Sequence, residues 1–134
     1  MNVSEHIEQF RKQYPHIRPF EEEDDVEWFN QGFDLLKAGK LDQAEETFAK
    51  LALAQPDHSD GFEGLGLVYE ERGDRIKAEI FLREALVRIE RMVQEGSMDP
   101  IFLKRIHSDL DRVLNKQTSP VVQASRQQKT FRNH

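Results

Sequence analysis

Residues 61–74 read GFEGLGLVYEERGD. Gly61, Gly64 and Gly66 stand close together in a stretch whose other residues favour a helix. Each glycine inside a helix costs about 1 kcal/mol relative to alanine, so the cluster needs a reason. One appears when the sequence is laid over itself with an offset of 34. Trp28 then meets Phe62, Gly32 meets Gly66, and Leu35 meets Tyr69. Further on, Gly39 meets Gly73, Ala44 meets Ala78, Phe48 meets Leu82 and Leu51 meets Ala85. Apart from Leu51 over Ala85, large falls on large and small on small, the signature of an internal repeat.

Period and cap residues place the helices. The first spans about 25–38 and the second about 41–54, stopped by Pro56. A third spans about 59–72, and a fourth runs from Asp74 to about Glu95. GSMDP at 96–100 breaks the fourth, and Asp99 with Pro100 suits the start of a fifth that ends near Asn115. Phe102, Ile106, Leu110 and Val113 form an apolar stripe on that last helix, opposite a polar face. Before the repeat, residues 1–24 hold a possible short helix with Ile7, Phe10 and Tyr14 on one side. After it, residues 117–134 carry Arg126, Lys129 and Arg132 and no acid, and read as a basic, disordered tail.

The repeat resembles the tetratricopeptide family, whose pattern is W-x2-L-G-x2-Y, then A-x3-F, then P. The first unit carries Trp28, Gly32, Ala44, Phe48 and Pro56, and departs from the pattern at Gln31 and Leu35. The second carries Leu65, Gly66, Tyr69 and Ala78, and departs at Phe62, Leu82 and Glu90. The resemblance implies an all-α, TPR-like solenoid over residues 25–116: repeats at about 25–58 and 59–92, and a C-terminal capping helix at about 99–115. Such repeats bring antiparallel helices close together, which assigns Gly32, Gly66, Ala44 and Ala78 to the close contacts. Gly39 and Gly73 fall where a first helix ends in a left-handed residue. Gly61 and Gly64 are left without a role in the pattern. At Gly61, in a first helical turn, alanine is expected to be mild or slightly stabilising.

Composition narrows the function. The chain has 134 residues, a net charge of −6 and no cysteine, which excludes disulfides and thiolate metal sites. The acidic run EEEDDVE at 21–27 and the acidic body argue against nucleic acid as a partner. No apolar run approaches the ~18 residues of a membrane span, and the N-terminus has no signal-peptide core, so the expected location is cytoplasmic. There is no Walker sequence, no H-E-x-x-H and no G-x-S-x-G. GFEGLG has the wrong glycine order for a dinucleotide fingerprint. His6, His16, His58, His107 and His134 are scattered, with no metal-ligand spacing. The expectation is therefore a protein that is not an enzyme and uses no cofactor or metal.

The resemblance supplies a surface, since first helices of tetratricopeptide units line a concave groove. The matching positions are Val26, Phe29, Phe33, Leu36 and Lys37 in the first unit, then Asp60, Glu63, Leu67, Glu70 and Glu71 in the second. One half is apolar and the other acidic. The Lys/Asn carboxylate clamp of some family members is missing, since Phe29, Phe33, Asp60 and Glu63 stand in its places. The N-terminal segment is a candidate cover for Phe29 and Phe33. The implied function is an adaptor or small chaperone that binds an apolar, basic segment of another protein. Type III secretion chaperones are a narrower likeness, and a self-associating scaffold is the alternative. Phe33→Glu is expected to abolish binding while sparing the fold.

Overall fold

The helix ends repeat as the sequence does. Gly39 and Gly73 have φ of 77° and 82°, the left-handed conformation that glycine adopts without steric cost. Around each, two backbone bonds close the preceding helix. Gly39 N–H donates to Leu36 O and Lys40 N–H to Leu35 O. Gly73 N–H donates to Glu70 O and Asp74 N–H to Tyr69 O in the same pattern. Gly96, at φ 79°, ends a third helix in this way.

The computed structural model describes residues 2–15, 21 and 24–115, and every regular element among them is an α-helix. In order these are α1 (Val3–Gln13), α2 (Asp24–Lys37), α3 (Leu41–Ala54), α4 (Asp60–Glu71), α5 (Arg75–Gln94) and α6 (Ile101–Leu114). The bounds lie close to the expected ranges. Asp74 caps α5 by accepting from Lys77 N–H, and the Asp99 carboxylate accepts from Ile101 N–H at the start of α6. Residues 117–134, expected as a basic tail, lie outside the described residues.

Each helix packs on the next from α2 to α6, and α2 also reaches α4. The helix α4 is the centre: residues 60–69 are all buried. Close approach is the reason for its glycines. A Cβ at Gly32 would fall 2.5 Å from the Phe48 ring, and one at Gly66 would fall 2.6 Å from the Leu82 side chain. The second contact is the first moved on by one repeat. Gly64 also lies against Phe48, so that ring sits between a glycine of α2 and a glycine of α4. Phe29 and Phe33 complete its surroundings at 6.2 Å and 6.0 Å between ring centroids.

Gly61 departs from expectation. A Cβ there would fall on the backbone of Ala52 in α3, which has no rotamer by which to move aside. The glycine is a contact residue, not a tolerated one. Of the candidate cover for Phe29 and Phe33, the helix α1 sits across α3 and α5 instead. Its His6 and Phe10 are buried, with Phe81 of α5 at 5.5 Å and 6.2 Å. Burial, reinforced by the nearby Lys77 ammonium, lowers the His6 pKa from its ordinary 6.5.

Two predictions follow from this packing. Gly61→Ala and Gly64→Ala are each expected to destabilise by about 1–3 kcal/mol through overpacking, read as a lowered midpoint in thermal melts. An unchanged midpoint would refute the α3–α4 contact. The second concerns His6. Its depressed pKa means that seated α1 favours the neutral ring and released α1 binds the proton more readily. Amide protection over residues 3–13 should therefore fall as pH drops below about 6.5. His6→Phe should remove that dependence.

Candidate interaction surface

The expected groove positions separate by burial. Phe29, Asp60 and Leu67 are fully enclosed, and Phe33, Leu36 and Glu63 nearly so. Phe33 stacks at a tilt on Phe29, 5.0 Å away, and meets Phe48 edge-on, which makes it a core residue. The expectation that Phe33→Glu spares the fold is corrected accordingly. Val26 and Glu71 are half-buried, and Lys37 is exposed. The apolar half of the surface is thus largely turned inward, against α3.

The acidic half is occupied by α6. Arg105 donates to Glu63 Oε2 from both Nε and a terminal nitrogen, the shorter bond being 2.5 Å. Two turns on, Arg112 makes a two-pronged pair with Glu70, Nε to Oε2 at 2.8 Å and the terminal nitrogen to Oε1 at 2.9 Å. Arg112 also donates to Asp109 of its own helix at 2.9 Å. The Arg112 and Glu70 side chains retain only 5% and 7% of their exposure, so water screens this pair little. Burial opposes the charge of both arginines, yet their carboxylate partners raise each pKa above its ordinary value. They stay cationic.

The match is one of spacing. Glu63 and Glu70 lie on one face of α4, and Arg105 and Arg112 repeat that interval on α6. Sequence reasoning noted only a polar face on α6 and missed these residues. The signal was available in the equal intervals, but an equal interval between charges is common on amphipathic helices. The C-terminal end of α6 is tied to α5 as well, since Arg75 of α5 donates to Val113 O at 2.9 Å and Leu114 O at 3.4 Å.

Glu71 has a different environment. Its Oε2 is buried with no hydrogen-bond partner. Burial raises its pKa above the ordinary 4.5 and the neighbouring Glu70 adds to the effect, while Arg112 opposes it. Among the described residues, no group of three or more histidine, cysteine, aspartate or glutamate side chains has an arrangement that would hold a metal ion. No helix of the described residues is long and apolar enough to cross a membrane. No family model matches the chain, and no curated protein or solved structure matches it.

The two adjacent glutamates should respond in opposite directions. Glu70→Ala leaves Arg112 short of its main partner in a buried site and is expected to cost about 3–5 kcal/mol. Glu71→Gln removes a carboxylate whose ionised form the fold disfavours. Because the folded pKa is raised, the wild type loses stability as pH rises through and above 4.5. The variant should be the more stable at pH 7 and flatter in that window. Urea melts at pH 4 and pH 7 measure both effects.

Proposed function

We propose that the chain is a protein–protein interaction module of tetratricopeptide-like build. In this reading it has two helix-turn-helix units and the capping helix α6, and it takes a basic amphipathic segment of another protein along the side formed by α2, α4 and α6. The observation that carries the reading is the way α4 holds α6. Glu63 and Glu70 each engage an arginine of a helix laid beside them. A surface built this way accepts helices that present cations at two-turn intervals. The repeat of the glycine contact, Gly32 on Phe48 and Gly66 on Leu82, supports the two-unit build.

Within this reading, the part left for a partner is the strip beside α6. Glu71 supplies its anionic point, and Val26 and Lys37 supply the α2 side. A lysine or arginine of the partner would stabilise the half-buried Glu71 carboxylate, whose charge now has no direct hydrogen-bonded counterpart. Self-association is a second reading, favoured by the exposure of Ile76 (77%) and Val87 on α5 and of Ile101 on α6.

Affinity capture from the source cell with the full chain tests the first reading. A partner held by the wild type should be lost with Glu71→Lys, while the helical circular dichroism signal is unchanged. Equal retention by both proteins would move the contact to another face. Light scattering across concentration tests the second reading, and a monomer throughout would remove it.

A further inference from the structure

The helix α1 is joined to the rest of the fold differently from α6. Its polar interactions are internal: Asn2 and Glu5 form a reciprocal capping box, and Arg11 pairs with Glu8. No hydrogen bond or ion pair ties the described residues 2–15 to α2–α6. The attachment is apolar. His6 and Phe10 lie on Phe81, while Val3, Ile7 and Tyr14 pack at the margin of the core. Phe81 belongs to a platform of rings, with Tyr69 at 5.4 Å and Phe62 at 6.4 Å on its α4 side. A helix that caps itself and breaks no polar bond on leaving can come away as a unit.

What the platform accepts is visible in α1. Ring side chains stand at successive turns, His6, Phe10 and Tyr14, and the last turn is basic with Arg11 and Lys12. Around Tyr14 the body is acidic: burial, together with Glu45, Glu46 and Asp42 of α3 and opposed by Arg72, raises the phenol pKa to about 12. A basic last turn complements that edge.

We propose that the face formed by α3 and α5 is a helix-docking site, filled in cis by α1 and yielded to a partner helix with the same ring spacing and a basic last turn. Because α1 belongs to the same chain its docking is intramolecular, so a partner competes by affinity and not by finding an empty groove. This site lies on α3 and α5, with rings of α4 beneath it, and does not depend on that reading.

The test uses the full-length chain and a fluorescent peptide of residues 2–15. Hydrogen exchange of the wild type should show residues 3–13 opening together while α4 remains protected. The peptide should bind the Phe10→Asp chain, and His6→Asp as a second acceptor, at least about 10-fold more tightly than the wild type, where α1 competes. It should shift the Phe81 and Tyr69 amide resonances, and a peptide carrying Phe10→Asp should not bind. Equal protection of α1 and α4 would overturn the proposal. So would peptide binding no tighter to the variants, or unfolding of both variants, which would make α1 an integral part of the core.

Discussion

The approach of α2 and α4 to one aromatic ring is the constraint on which the rest of the fold depends. Phe48 projects from α3 and is met by the bare backbone of Gly32 on one side and Gly64 on the other. Neither position has room for a methyl group. Gly61 extends the same contact line to the Ala52 backbone, and Gly66 repeats it against Leu82 of α5. Helix propensity is given up at α4 and returned as packing, since dispersion contacts accumulate when backbones come this close. Ala44 of α3 and Ala78 of α5 are both fully buried.

With α3 and α5 so near, α4 has little surface left, and what remains is acidic. Closing that side with an apolar helix would have left Glu63 and Glu70 buried without counterions, at a cost of several kcal/mol each. Arg105 and Arg112 remove the difficulty, and the apolar stripe of Ile106, Leu110 and Val113 supplies the burial. The helix α6 is therefore held in two chemically distinct ways. The helix α1 is held in only one.

Much of this was legible in the sequence because it is local. The turn glycines at 39 and 73, the Asp74 cap and the apolar spacing of α6 are each settled within a few residues of chain. The 34-residue offset recurs in the glycine contacts, Gly32 on Phe48 and Gly66 on Leu82. Other features were not legible, for a common reason. Gly61 and Gly64 matter because of atoms on another helix, and nothing beside them in sequence names Phe48 or Ala52. Phe29 and Phe33 read as groove residues by position, yet Phe48 turns them into core. Glu63 and Glu70 read as an open acidic surface until a helix 42 residues further along is seen to neutralise them.

The enclosure of α4 also bears on how the chain folds. Stacked repeats commonly acquire structure unit by unit, each adding to a neighbour that is already formed. A helix with glycine at 61, 64 and 66 gains little from its own backbone and has no independent nucleus. Its support comes from α3 and α5, between which it packs. The helices before and after α4 are consequently expected to share one cooperative transition, since both pack on it.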